Sequence, residues 1–222
     1  MTNRGVQPET QHIFTVPNLM TFGRGLTAAL LPVYTARRGK HPTTVFLAGA
    51  ATDAEGIVAR FIDKIAPGWG TSDLGERADP IADATLGAGA NTTILTSHRS
   101  SCLAKVSAAI CSVKVAKQAA WAAETNYVHN AVFNKPYAKK PSATGKIGTV
   151  AMFAGQGLAM STIELGDSGR HDRLRLLAGA AAVGFSLTGL MLGNKACSGY
   201  SAELQEEIRA HYAQTPQYLQ AK

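Results

Sequence analysis

Six apolar stretches run the length of the chain, parted by short polar ones. The first, Val16–Ala36, is broken only by Arg24 and followed by Arg37, Arg38 and Lys40. It is about as long as a helix that crosses a bilayer, and Pro17 suits a helix start. After His41 and Pro42 the pattern resumes over residues 43–60, with acids only toward the end. Residues 61–77, holding Pro67, Gly68, Gly70 and Gly75, read as a loop. A third stretch, 78–97, carries its acids at its start. The fourth, 102–123, is interrupted by Lys105, Lys114 and Lys117, and a basic loop over 126–146 follows it. Residues 147–163 and 176–194 hold no charge and flank a mixed-charge loop over 164–175. In the polar tail from Lys195, Leu204, Ile208 and Tyr212 keep helical spacing, and Pro216 is a stop signal.

The pattern predicts an all-α protein, an integral membrane bundle of about six transmembrane helices. Residues 1–15 form a polar lead, a surface helix or a tail; 16–194 form the membrane domain; 195–222 form the polar tail. The stretches are rich in Ala, Gly, Ser and Thr, which lets membrane helices approach closely. The competing reading is a soluble helical module with an Ala-rich core. A mean hydropathy of -0.01 keeps it in play, but the last two apolar runs have nowhere to place a polar face. Met1–Gln11 lacks an apolar core with a cleavage site, so no signal peptide is read there.

Composition narrows the partners less than the pattern does. Of 222 residues 45% are hydrophobic and 17% charged, with net charge +7. A basic balance suits nucleic acid, an anionic membrane or an acidic substrate, and by itself does not choose. In a membrane protein no nucleic-acid partner is expected. Cys102, Cys111 and Cys197 lack ligand spacing and an even count, and read as free thiols. The six histidines are scattered, and no Ser/His/Asp or Cys/His set stands out. Gly87 and Gly89 read as helix-packing glycines before a phosphate loop.

The chemistry concentrates in residues 50–86. Asp53, Glu55, Asp79 and Asp83 sit among small and apolar residues, and acids there ask for a metal or a cationic partner. If both flanking segments span, the ends carrying these acids lie on one side, where one pocket can hold them. Asp79 and Asp83 are four apart and share a helix face. Their hard oxygens suit Mg²⁺ or Mn²⁺. The blander alternative makes Asp79 and Pro80 a helix opening, which accounts for Asp79 but not Asp83.

These residues resemble the CDP-alcohol phosphatidyltransferase family, whose signature runs D-x-x-D-G-x-x-A-R, a spacer, then G-x-x-x-D-x-x-x-D. Here Gly56, Ala59 and Arg60 and then Gly75, Asp79 and Asp83 fall in the same order. Pro17, Asn18, Thr21 and Arg24 match that family's first-helix pattern, and Gly145, Lys146, Thr149 and Gln156 resemble its fifth. The first half of the signature departs from the pattern. Its two aspartate positions are Thr52 and Glu55, and Asp53 lies one residue late. On a regular helix 52 and 55 share a face, whereas 53 points about 100° away from 52. The spacer over 61–74 is also longer than the signature allows, which costs little.

The resemblance implies transfer of a phosphatidyl group from CDP-diacylglycerol to a small alcohol acceptor, with release of CMP. It implies Asp83 as the base, and Asp53 (or Thr52), Glu55, Asp79 and Asp83 as holders of Mg²⁺ or Mn²⁺. Gly56, Ala59, Arg60 and Gly75 would meet the donor nucleotide and its phosphates. Lys146, or Lys117, would hold the phosphate of a phosphorylated acceptor. Glycerol 3-phosphate is the expected acceptor, as in phosphatidylglycerophosphate synthases, with inositol phosphate and phosphatidylglycerol as alternatives. A non-catalytic member with a degraded metal site is the reading from another class. A homodimer among membrane lipids, with its site on the cytoplasmic side, completes what the resemblance implies. The basic loop over 126–146 favours that side as well.

Overall fold

The computed structural model describes residues 15–37, 39–52, 61–62, 64–65, 73–134, 142–168 and 171–214, and at 17, 73–80, 167–168 and 214 the backbone alone. Among these residues the long elements are six helices and no strand occurs, as an all-α protein requires. They are α1 (Val16–Ala36), α2 (Pro42–Ala51), α3 (Asp73–Thr96), α4 (Cys102–Phe133), α5 (Ala143–Ser168) and α6 (Asp172–Gln214). By length and composition α6 is the one described helix apolar enough to cross a membrane, and it contains residues 176–194.

α1 has the predicted bounds. Thr15 caps it, its hydroxyl accepting the Asn18 N–H at 3.3 Å, and Pro17 fills the first turn where no donor is needed. Other boundaries differ from the hydropathy pattern, each because polarity alone does not stop a helix. α3 is already helical at Asp73, inside the expected loop, and runs through Gly75. Asp79 and Pro80 therefore lie well inside α3, and the helix-opening reading of this pair is wrong. α4 continues to Phe133 through a polar stretch with no Gly or Pro, ending at Asn134 in the left-handed region (φ 52°). α5 runs on to Ser168, and α6 is continuous through Lys195 as far as Gln214.

The most extensive pairings are α5 with α6, α4 with α6 and α1 with α3. Small residues make them close. A Cβ on Gly89 of α3 would run into the Ala28 carbonyl of α1, and one on Gly155 of α5 would stand 2.6 Å from the Ser186 hydroxyl of α6. The core gathers Leu31, Phe46, Leu86, Ile94, Met160 and Ile163, all fully buried. Phe46 meets Phe153 edge-on, with ring centroids 6.1 Å apart.

Contacts at one end of the bundle fix the alternating direction of the helices. Arg99, between α3 and α4, donates to the Thr35 carbonyl of α1 at 3.2 Å. Glu164 of α5 accepts the Thr43 N–H of α2 at 2.9 Å. The opposite end therefore receives the close of α2, the early turns of α3 and the beginning of α5.

Candidate active site

Every third residue of early α1 is polar and inward. Asn18, Thr21 and Arg24 are all buried, Arg24 completely. A guanidinium in that setting is stable only with charge and hydrogen bonds around it. Arg24 Nη1 pairs with the Asp83 carboxylate on α3. Arg24 Nε donates to Thr52 Oγ1 at 3.2 Å, at the close of α2. The Thr52 hydroxyl in turn donates to the Gly49 carbonyl at 2.6 Å. One buried cation thus joins three helices. Asp83 is 26% exposed on its side chain, so its carboxylate bridges the dry interior and the open end of the bundle.

The two halves of the signature converge here. Thr52, at the first aspartate's position, and Asp83, the last aspartate, share Arg24 as partner. Asp79 and Gly75 precede Asp83 on the same helix, by one and two turns. Asp53, Glu55, Gly56, Ala59 and Arg60 lie outside the described residues. Lys146 sits in the first turns of α5, exposed, with its N–H bonded to the Ser142 carbonyl at 3.0 Å. Its side chain is not joined to Arg24 or Asp83. Among the described residues no three His, Cys, Asp or Glu side chains gather as a metal site. Of the four signature acids, Asp83 is the one whose side chain is described. The donors at this end, a carboxylate and a hydroxyl brought together from α3 and α2, are of the hard-oxygen type that fits Mg²⁺ or Mn²⁺.

Beneath this site lies a polar layer. Gln156 of α5 donates to the Gly87 carbonyl at 2.9 Å and to Asn91 Oδ1 at 2.8 Å, both on α3. Asn91 donates to Ser112 Oγ of α4 at 3.0 Å. Lys114, 1% exposed, donates to Gln118 Oε1 at 3.2 Å and lies 3.7 Å from Met152 Sδ. In the sequence Arg24 stands out as the one break in the first apolar stretch and Lys114 as one of three interruptions of the fourth. For Arg24 the available signal was a single cation inside an otherwise apolar stretch; Lys114, one of three lysines in its stretch, had none.

Comparison with known proteins gives the chain a family. The family model described as CDP-alcohol phosphatidyltransferase matches residues 14–188. The chain belongs to that family and is an enzyme, a transferase of substituted phosphate groups. The family moves a phospholipid head group using a CDP-alcohol, is typically membrane-embedded, and is generally dependent on a divalent metal. No curated protein and no solved structure matches the chain.

Proposed function

We propose that this protein is a multi-pass membrane enzyme that transfers a phosphatidyl group from CDP-diacylglycerol to glycerol 3-phosphate, releasing CMP. The observation that carries the reading is the convergence of Thr52 and Asp83 on Arg24, which brings the ends of both signature halves to one point. Asp53, Glu55, Asp79 and Asp83 are the residues that would hold Mg²⁺ or Mn²⁺. When bound, that cation neutralises the diphosphate and the charge on the departing phosphate.

The chain's own residues supply the rest. Asp83 accepts the proton of the acceptor hydroxyl as its oxygen forms a bond to the phosphatidyl phosphorus and the bond from that phosphorus to CMP breaks. Arg24 holds that carboxylate in one orientation. Arg60 meets phosphate oxygens, Gly56 and Ala59 let the nucleotide approach the backbone, and Gly75 lets α3 start close to it. Lys146 adds positive charge at the same end. The membrane domain covers 16–194 with polar segments on either side, and two copies associate in the cytoplasm-facing arrangement the basic 126–146 segment favours.

Purified protein with CDP-diacylglycerol, Mg²⁺ or Mn²⁺ and a panel of alcohols is expected to release CMP. Asp83→Asn abolishes release, and Glu55→Ala raises the metal concentration needed. Release with inositol phosphate or phosphatidylglycerol, and not glycerol 3-phosphate, would replace the acceptor. The second reading, a non-catalytic member, rests on Thr52, whose hydroxyl is bonded to Arg24 and Gly49 in place of an acid. Failure to release CMP with any acceptor, while an active family member works alongside, would establish it.

A further inference from the structure

The end of the bundle away from Asp83 is strongly basic, and the mechanism above does not use it. The segments that meet there, residues 35–43, 97–101 and 164–175, carry seven Arg and Lys against three Asp and Glu. Hydrogen bonds hold these segments together. Arg99 donates to the Thr35 carbonyl of α1, Arg175 of α6 donates to the Arg99 carbonyl, and Glu164 of α5 accepts the Thr43 N–H of α2. A Cβ on Gly166 would stand 2.9 Å from the Arg99 carbonyl and 3.3 Å from Arg175 Cζ, so the glycine admits the guanidinium. Arg99 and Arg175 are thereby fixed and half-buried, while Arg37, Lys40 and Arg173 are exposed.

The chain does not balance these cations. Among the described residues none of Arg37, Lys40, Arg173 and Arg175 is ion-paired. A guanidinium has several N–H donors. Arg175 gives Nη2 to the Arg99 carbonyl, and its Nε, shielded from solvent, finds no acceptor among the described residues. The nearby acids have other work. Glu164 takes the Thr43 N–H, and Asp172 sits in the first turn of α6, where the helix dipole favours an acid. Apolar side chains border the cations: Leu174, Leu176 and Leu177 of α6 and Val33 of α1 are each 48% or more exposed. Cations above an outward apolar face suit a phospholipid, whose headgroup meets the charges while its acyl chains lie along the helices. A soluble anion has no use for that apolar border.

We propose that the end of the bundle opposite the active site binds the headgroup of an anionic phospholipid, with Arg175 as its fixed donor and Arg37, Lys40 and Arg173 as the exposed cations around it. The fork of a guanidinium matches phosphate oxygens in pairs, which a single ammonium cannot do. A zwitterionic lipid offers the same phosphate with no net charge, so the cations select for the anionic one. Bound there, the lipid ties α1, the link between α3 and α4, and α6 without touching Asp83. The inference rests on the membrane reading above and is independent of the acceptor and of turnover.

Retained lipid reads this site without turnover. The full chain in detergent is given equal amounts of phosphatidylserine and phosphatidylcholine, and bound lipid is counted by native mass spectrometry. Phosphatidylserine is expected to be retained in preference and to raise the thermal midpoint saturably. Arg37→Gln and Arg173→Gln, both at exposed positions, should each weaken its retention about fivefold, the worth of one cation near an anionic lipid. Arg175→Gln should weaken it further. Lys195→Gln removes the same charge from an exposed position toward the other end of α6 and should leave retention unchanged. Equal retention of the two lipids, an equal loss in Lys195→Gln, or parent-like retention in the folded double variant Arg37→Gln/Arg173→Gln would overturn the proposal. Displacement of phosphatidylserine by millimolar inorganic phosphate would overturn the lipid assignment and give the site to a soluble anion. Preferential retention by protein that releases no CMP would uphold this site and count against the transferase reading alone.

Discussion

Arg24 has no acid near it along the chain, and its charge is satisfied by residues 28 and 59 positions away, Thr52 and Asp83. Removing one partner of a buried pair costs about 3–5 kcal/mol, because the other is left charged and unpaired. Arg24→Met is therefore expected to lower the thermal denaturation midpoint in detergent clearly and to abolish CMP release. Arg24→Lys keeps the charge but gives up the forked geometry that serves Asp83 and Thr52 together, and should recover stability more than activity. Equal stability of Arg24→Met and the parent would contradict the ion pair. The carboxylates Asp79 and Asp83 were legible in the sequence because a spacing of four puts residues on one helix face whatever surrounds it. The bond from Arg24 to Thr52 was not, since it depends on where the close of α2 meets α1.

At the scale of the element, helix ends depend on packing partners as much as on polarity. α4 and α6 keep their helices through polar sequence because each lies against the other. Trp121 against Tyr200 and Phe133 against His211, at 5.3 Å and 5.0 Å between ring centroids, mark the pairing. With 43 residues, α6 is about 65 Å long, more than twice the roughly 30 Å of a bilayer core. Glycines test the closeness of the other pairs. Gly89→Ala puts a methyl against the Ala28 carbonyl and should force α1 and α3 apart. Gly184→Ala, with nothing within 4 Å, should be neutral or slightly stabilising through helix propensity. Thermal unfolding of the two variants side by side reads the contrast, and equal midpoints would mean that α1 and α3 do not pack through Gly89.

At the scale of the molecule, apolar side chains face outward along most helices. Leu19, Phe22, Leu26 and Leu30 of α1 and Leu187 and Met191 of α6 are each 44% or more exposed, while the buried side of α1 holds Asn18, Thr21 and Arg24. That inversion is what a lipid solvent selects. The expressed protein should stay with membranes through high salt and leave them in detergent. Release by salt alone would restore the soluble reading and end the multi-pass proposal.

The sequence by itself determined that the chain is helical, where α1 begins and ends, and that Asp79 and Asp83 belong together. These follow from local physics: the length of apolar runs, the chemistry of a cap, the period of a helix. The tertiary structure alone decided that Arg24 turns inward to Asp83, that α3 starts before its acids, and that Lys114 lies buried in the polar layer beneath the site. Each of these depends on which helix arrives beside which. A buried charge is placed by partners distant in the chain, and no local pattern encodes that distance.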